Sequence, residues 1–469
     1  MWQIIRNEWQ SWMRNRTLLG ISIGFVAILC LTIYLGYLQT EAQSERYQSA
    51  RQHLRHQWEN NREMHPHGAV HYGTYVFKPI NLLSSLDEGV SSITGNVLRI
   101  EGHVQNEIIY SEASQMQANS KFGKLKSSLL LQYIVPLLLI FLAYQSINGE
   151  KQSGRLKLLF LQGANPIQLV LAKTFAVTSY GMGLLALTIL SYALFHLSQI
   201  SAEIWGRTIL FFCSYSLYYF IIAGFTVFLS FRLKNTSLAL TSMLGLWIIW
   251  TIFSPHILMS SVEQWHQLPT REAFKKAMKE DRAKGIDGHN PRDERRKELE
   301  EQILAKYEVD SLSELPIDFG GILMQADEEY GNKVWDKHFG YIREVLGEQK
   351  QSYQLGGILN PFISLQNLSM GLAGNDNWHH QAFLVQAETY RRNLIKTLND
   401  EHAYGTIKEG DDYIKVGPEF FQSIEPFRYQ PVPFSATFPI YGLNLTLLIM
   451  WSLLAGLLLI LGTKNTQIL

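Results

Sequence analysis

Six blocks of mostly apolar residues alternate with polar stretches along the 469-residue chain. Each block offers about the 20 apolar residues with which an α-helix crosses ~30 Å of hydrocarbon. The pattern therefore predicts six membrane spans, at residues 17–38, 127–147, 170–195, 207–232, 237–259 and 438–462. The first block runs on into Gln39, Thr40 and Glu41 without a small-residue cleavage site, so we expect an uncleaved span instead of a signal peptide.

Basic residues stand at alternate ends of these spans. Short loops rich in Lys and Arg stay in the cytoplasm, so the pattern predicts both termini on the cytoplasmic side of a multi-pass protein in a bacterial inner membrane. The basic residues concerned are Arg6, Arg14, Arg16, Lys151, Arg155, Lys157, Lys173, Arg232, Lys234 and Lys464. Residues 1–16 also carry Trp2, Trp9 and Trp12 at helical spacing, which is typical of an interfacial helix in contact with the lipid bilayer.

Two long polar stretches, residues 39–126 and 260–437, fall on the opposite side of the membrane in this topology. The first opens with Glu41 to Arg62, a polar segment with few helix breakers that should continue the first span as a projecting helix. Residues 74–110 mix β-branched and aromatic residues with Gly, which permits short strands. The predicted fold class is therefore mainly α, a six-span helical membrane protein with two mostly helical extracytoplasmic insertions that contain some β-structure.

The two insertions should pack on each other. Both cysteines of the chain, Cys30 and Cys213, lie inside predicted spans, so no disulfide can stabilise either insertion. A polar region of about 90 residues buries too little surface to be stable alone, and it therefore needs a neighbour. The apolar and aromatic residues expected at this contact are Tyr72, Tyr75, Phe77, Phe362, Leu365, Phe383 and Leu384.

The loop at residues 148–169 joins the second and third spans. After Gly154, leucines alternate with Arg155 and Lys157, a pattern that favours a short amphipathic helix along the inner membrane surface. A soluble partner that binds a helix in that position could displace it.

The same loop resembles the coupling loop of type 2 ABC exporter permeases, of the larger group with two extracytoplasmic domains. The resemblance rests on Glu150, Lys151, Gly154, Leu156, Leu158, Leu159, Gly163 and Lys173. Many relatives have an Arg-Glu pair where this chain has Lys151-Gln152. The resemblance implies contact with separate ABC ATPase subunits, which would hold ATP and magnesium, and pairing with a second permease subunit, identical or homologous. The implied ATPase-coupling residues are Glu150, Lys151, Gly154, Arg155, Leu156, Leu158 and Leu159.

Several function classes are disfavoured by what the sequence lacks. The formal net charge is zero, so nothing favours nucleic acid as a partner. The sequence contains no phosphate-binding Gly-x-x-x-x-Gly-Lys-Ser/Thr loop, no Gly-x-Ser-x-Gly elbow and no His-Glu-x-x-His. We therefore expect no catalysis and no cofactor in this chain, and ATP hydrolysis in another polypeptide.

The spans contain almost no ionisable residues, which disfavours a proton-coupled carrier. They offer hydroxyl-bearing aromatic residues instead, among them Tyr180, Tyr215 and Tyr219. Residues of this kind usually pack helices together or anchor them at the interface. The alternative is that these three line a path for an amphipathic substrate.

Three histidines, His65, His67 and His71, fall within seven residues. Imidazoles at this density could hold copper or zinc. However, neighbouring Pro66 and Gly68 indicate a turn in which histidines bond to the backbone, and no acidic or Cys partner is near in sequence. We therefore expect a structural cluster without a metal.

Taken together, these features predict the membrane subunit of an ATP-driven ABC transporter that exports or extrudes a substrate. The alternative is a mechanotransmitting subunit, which relays ATPase motion to its outer insertions and carries no substrate.

Overall fold

A computed structural model describes residues 1–105, 126–196, 201–286, 288, 290–407 and 413–464. Parts of the predicted insertions 39–126 and 260–437, and of the loop before the fourth span, lie outside the described residues. Six helices of the described part are long and apolar enough to cross a membrane, and almost no strand is present there, which confirms the predicted fold class. These helices, called spans 1 to 6, are Arg16–Glu59, Ser127–Gln152, Pro166–His196, Ala202–Arg232, Thr236–Trp265 and Phe434–Thr463.

The remaining elements lie at the two ends of the span bundle. The further α-helices are Trp2–Arg14, Pro66–Tyr72, Ser91–Thr94, Arg155–Leu161, Arg271–Lys284, Arg292–Tyr307, Phe319–Leu355, Pro361–Leu372, Asn377–Tyr404 and Pro418–Ser423. Short 3₁₀ turns occupy Leu82–Ser85, Leu312–Glu314 and Gly356–Ile358. Strands β1 (Thr74–Phe77) and β2 (Val97–Ile100) pair antiparallel, with Thr74 opposite Ile100 and Phe77 opposite Val97. We call the end with helices Trp2–Arg14 and Arg155–Leu161 the basal end, and the body built from the two polar insertions the head.

The N-terminal helix Trp2–Arg14 packs on span 3. Trp9 Nε1 donates a hydrogen bond to Ser179 Oγ at 2.9 Å, and the rings of Trp9 and Trp12 lie 5.9 and 6.0 Å from the ring of Tyr180. Asn15 separates this helix from span 1 and caps the span, because its side chain accepts a hydrogen bond from the Leu18 N–H at 3.1 Å. The helix predicted for residues 1–16 is therefore fixed to the bundle by its aromatic face.

The head has a hydrophobic core of its own, to which both insertions contribute. Trp58, Val70 and Val76 from the first pack with Phe383 and Phe421 from the second. This core confirms that the insertions pack on each other, and span 1 reaches it as one unbroken helix to Glu59. The predicted contacts Phe383 and Leu384 belong to this core.

Two of the other predicted contacts lie elsewhere. Phe362 and Leu365 belong to the hydrophobic core of the spans instead of the head. The reason is that the helix Pro361–Leu372, which we call the inserted helix, enters the bundle with nearly all its residues buried. Tyr72 is 47% exposed and so contributes little burial to either core.

The inserted helix is held by polar contacts to spans 5 and 6. Span 5 contains a π-helical turn, Ile249–Phe253, which disturbs the regular backbone hydrogen bonds. Asn360 compensates by donating to the carbonyl of Trp250 at 2.6 Å, and its own oxygen accepts from the Phe362 N–H at 2.9 Å. In span 6, Trp451 Nε1 donates to the Gly357 carbonyl at 2.9 Å. These contacts attach part of the second insertion to the spans.

Candidate coupling site

A buried ammonium ties three elements together at the basal end. Lys173 of span 3 is 2% exposed, and its Nζ lies 2.5 Å from Glu8 Oε1 and 2.9 Å from Glu150 Oε1. Removing an ammonium from water is costly unless it is paired and hydrogen-bonded, and here two carboxylates supply the pairing. The N-terminal helix and the segment around Glu150 are therefore bound to span 3 through one side chain.

The segment 147–152 also contacts the ends of spans 4 and 5. The backbone N–H groups of Ile147 and Asn148 both donate to Ser230 Oγ at 3.2 Å. Lys151 Nζ donates to the carbonyl of Phe231, one of the last carbonyls of span 4, which have no partner within the helix. Gln152 Nε2 donates to Thr236 Oγ1, at the start of span 5, at 3.1 Å. A displacement of this segment would act on three spans at once.

The helix Arg155–Leu161 that follows presents a mixed surface to its surroundings. Leu156 is 5% exposed and packs inward, whereas Leu158 and Leu161 are 58% and 76% exposed. The exposed side also carries Lys157 and Arg155, whose Nε donates to Ser153 Oγ at 3.0 Å. The outer surface of this helix therefore combines two leucines with two cations, and we call it the basal patch.

The predicted coupling residues divide between the two environments. Glu150 and Lys151 turn inward to Lys173 and Phe231, and Leu156 is buried. Gly154, Arg155 and Leu158 are exposed, and Leu159 is partly buried. Their role in contact with an ATPase stays a prediction. Sequence reasoning did not identify Glu8, although a lone Lys173 within an apolar span signals a partner, because an unpaired cation is rarely tolerated there.

Gly154 makes the sharp turn between the segment 147–152 and the helix Arg155–Leu161, with φ at 72°. A Cβ at this position would meet no atom within 4 Å, so replacement by Ala acts through the backbone alone. We expect Gly154→Ala to cost about 1–2 kcal/mol, because L-residues disfavour left-handed φ. Gly149→Ala is a matched control, since its Cβ also meets nothing and its φ is helical, so it should be neutral or slightly stabilising. Thermal unfolding of the two variants in detergent measures the difference, and equal midpoints would contradict it.

The three tyrosines predicted as a possible path are hydrogen-bonded inside the bundle. Tyr180 donates to Ser22 Oγ at 2.6 Å, and the Tyr219 hydroxyl donates to the Leu131 carbonyl at 2.9 Å. Tyr215 and Tyr219 are 0% exposed. In this arrangement all three connect neighbouring elements, and a role in translocation stays a prediction.

Tyr215 belongs to a buried polar group that joins the spans to the head. Its hydroxyl lies 2.8 Å from Ser369 Oγ of the inserted helix and accepts from Gln132 Nε2 at 3.0 Å. Asp87 of the head accepts from Gln132 at 3.2 Å, from Ser369, and from the Gly89 N–H at 2.9 Å. Burial raises the pKa of Asp87 above its ordinary value, although these hydrogen bonds oppose the rise. We call Asp87, Gln132, Tyr215 and Ser369 the junction cluster.

The histidines of the head separate into two groups. His65 Nδ1 accepts from the His67 N–H at 3.1 Å, as expected for a helix cap, and its ring packs against that of His402. His67 and His71 lie together and share a hydrogen bond between their Nε2 atoms, which are 3.0 Å apart. Burial, assisted by the neighbouring His71 and His103, lowers the pKa of His67 to about 4.

Comparison with known proteins adds two matches to family models. A model described as "ABC-2 family transporter protein" matches residues 2–296, which is more than half of the chain and includes the first five spans and the basal patch. A model described as "domain of unknown function (DUF3526)" matches residues 271–430, within the second insertion. None of the curated proteins compared matches the chain.

Proposed function

Because the chain belongs to the ABC-2 family of transporter proteins, it is a membrane component of an ABC transporter, and we propose that it exports a substrate under the drive of a separate ATPase. The family implies an ABC ATPase as partner. We place the basal end in the cytoplasm of a bacterial inner membrane, because the basic residues of the short loops gather there. The head then lies outside the cytoplasm.

The observation that best supports this proposal is the pairing of Lys173 with Glu8 and with Glu150, which lies in the segment that leads into the basal patch. An ATPase that docks on Leu158 and Leu161 would push the segment 147–152, which is bonded to the ends of spans 3, 4 and 5. ATP must favour one arrangement of the spans over the other for this push to do work. The basal patch is then the contact surface, and Lys173 is the residue that passes the displacement on.

The distribution of buried surface supports a second permease subunit, identical or homologous. In each of spans 1, 5 and 6, only 22% of an apolar stretch of 18 residues is buried within the protein, against 44–56% in spans 2, 3 and 4. The exposed parts of the three outer spans leave room for both lipid and a partner. A cavity of about 290 Å³ beside Gly36 and Gln39 of span 1 is lined by Lys78 and Ser84 of the head together with apolar side chains, and this mixed lining suits the exit of an amphipathic substrate.

The junction cluster favours mechanotransmission as a second candidate function. Buried hydrogen bonds connect Gln132 and Tyr215 of spans 2 and 4 to Asp87 of the head. A displacement of these spans would reach the head even if no substrate passed between them.

Spin labels on spans 2 and 4, in a background with Cys30 and Cys213 replaced by Ser, would separate the two candidate functions. Export requires these spans to part during the ATP cycle, whereas pure mechanotransmission requires them to move together with the head.

Docking of the ATPase is tested by the double variant Leu158→Asp/Leu161→Asp. Two carboxylates on the basal patch remove its apolar character, so we expect the ABC ATPase to be lost from the purified complex, together with its ATP hydrolysis. Leu268→Asp is the control, because Leu268 is 43% exposed but lies in the head. The measurement is the ATPase-to-permease ratio by quantitative mass spectrometry. A ratio that is unchanged in the double variant would reject the basal patch as the contact.

A further inference from the structure

Three histidines from two separate parts of the first insertion meet on the head. His67 and His71 lie one helical turn apart on the helix Pro66–Tyr72, so both rings project from one side of it. His103 follows strand β2, and one ring nitrogen from each of the three lies within 4.8 Å of the others. The candidate ligands by sequence spacing are His65, His67 and His71. In the structure His67 and His71 lie together, but the third histidine beside them is His103 and not His65.

The backbone holds His103 in place against the helix. The Gly102 N–H donates to the Val70 carbonyl at 3.0 Å, and a Cβ on Gly102 would lie 2.0 Å from the Val70 side chain, so only glycine permits this approach. His103 itself has φ at 64°, in the left-handed region that a residue with a side chain seldom adopts. A strained backbone of this kind is over-represented at ligand-binding sites.

The separation of the ring nitrogens suits a small metal ion. Two nitrogen ligands at 2.0–2.1 Å from a tetrahedral zinc ion stand roughly 3.3 Å apart. His67 Nε2 and His71 Nε2 are 3.0 Å apart, close to this value. His71 is exposed, so an ion could enter from solvent and keep one position open to water.

A carboxylate stands behind His103, as it commonly does behind a metal-bound histidine. Glu328 Oε1 lies 2.7 Å from His103 Nδ1 and also accepts from the His103 N–H at 2.5 Å. Such a partner fixes the ring tautomer, leaves Nε2 free as the ligand, and raises its basicity. The expectation of no metal rested on the lack of an acidic residue nearby in sequence. Glu328 is 225 residues from His103, so the sequence alone could not pair the two. The neighbouring cations are paired with carboxylates as well. Arg99 lies 2.9 Å from Glu101, and Arg391 lies 2.8 Å from Glu388 and 3.2 Å from the other oxygen of Glu328, Oε2.

We propose that His67, His71 and His103 bind one divalent transition-metal ion, for which zinc is the best fit, with Glu328 as the positioning residue of His103. The ion would join the helix Pro66–Tyr72 to the end of β2 and, through Glu328, to the helix Phe319–Leu355 of the second insertion. It would therefore stabilise the contact between the two insertions of the head.

Zinc binding by the full chain in detergent, purified with a tag that contains no histidine, tests the site. After treatment with a chelator, the protein is titrated with zinc chloride against a fluorescent zinc indicator. We expect about one equivalent to bind to the wild type and none to His71→Ala or His103→Ala. Glu328→Gln should bind roughly 10–100-fold more weakly, because it loses only the partner of a ligand. His53→Ala/His56→Ala is the control, since it removes two exposed histidines elsewhere in the head.

A second readout separates loss of binding from loss of folding. Zinc should raise the thermal unfolding midpoint of the wild type and of the control, and leave that of His71→Ala unchanged. Because His71 is exposed, its replacement should not unfold the apo protein, and size-exclusion chromatography checks this. The proposal is overturned if the wild type binds no stoichiometric zinc, or if His71→Ala binds zinc as the wild type does.

Discussion

Replacing Lys173 with Met should release the N-terminal helix from span 3 and uncouple ATP hydrolysis from movement of the spans. The substitution keeps the length of the side chain but leaves the Glu8 and Glu150 carboxylates facing each other without a cation. Removing one partner of a fully buried pair costs about 3–5 kcal/mol. The two carboxylates are 20% and 19% exposed, so water reaches them in part, and we expect a cost of about 2 kcal/mol, below that range.

Limited trypsin digestion at Arg14 and Arg16 measures the release of the helix. If opening is fast relative to cleavage, the rate follows the population of the open form, so a loss of about 2 kcal/mol makes cleavage roughly thirty-fold faster. Lys157→Met is the matched control, because it removes the same charge from an exposed position in the basal patch. The double variant Glu8→Gln/Lys173→Met should recover part of the loss, since it removes one of the opposed carboxylates. Equal cleavage of Lys173→Met and Lys157→Met would show that the buried ammonium does not hold the helix.

The membrane part of the fold could be predicted because each span carries its own signal. A block of about 20 apolar residues is sufficient without any knowledge of its neighbours. The inserted helix carries no such signal. Its 12 residues are too few to cross a bilayer, and Asn367 and Ser369 give it the composition of a helix in the head. Its place among the spans depends on a distant partner, the Trp250 carbonyl that Asn360 satisfies.

The candidate sites show the same limit. The basal patch could be predicted from the sequence because Arg155, Lys157 and Leu158 are close together in the chain. The pairing of Lys173 with Glu8 joins residues 165 positions apart, and that of His103 with Glu328 joins residues 225 positions apart. Neither helical nor strand periodicity relates residues at such separations. Sequence reasoning can therefore identify an unpaired charge or histidine, but the partner that decides its role appears only in the fold.

Replacing Asp87 with Ala should weaken the connection between the head and the spans more than any other single change in the junction cluster. Asp87 is 5% exposed and is the only member that contacts Gln132, Ser369 and the Gly89 N–H together. Each buried donor left without an acceptor costs about 1–3 kcal/mol. Gln132 and Ser369 keep Tyr215 as a partner, so we expect a total of about 3 kcal/mol. Tryptophan fluorescence during thermal unfolding in detergent measures this loss.

Asp87→Asn separates shape from charge at the same position. The amide keeps an acceptor for Gly89 and no longer buries a carboxylate, so it should cost less than Ala. Burial raises the pKa of Asp87 above 3.8, so the protonated carboxyl group contributes fully to the free energy of unfolding below pH 3.8. This contribution is lost as the pH rises through the folded-state pKa. The Asn variant should lack this part of the pH dependence. Asp310→Ala, an exposed change in the head, is the control. If Asp87→Ala unfolds at the same temperature as Asp310→Ala, the junction cluster cannot transmit displacement of spans 2 and 4 to the head.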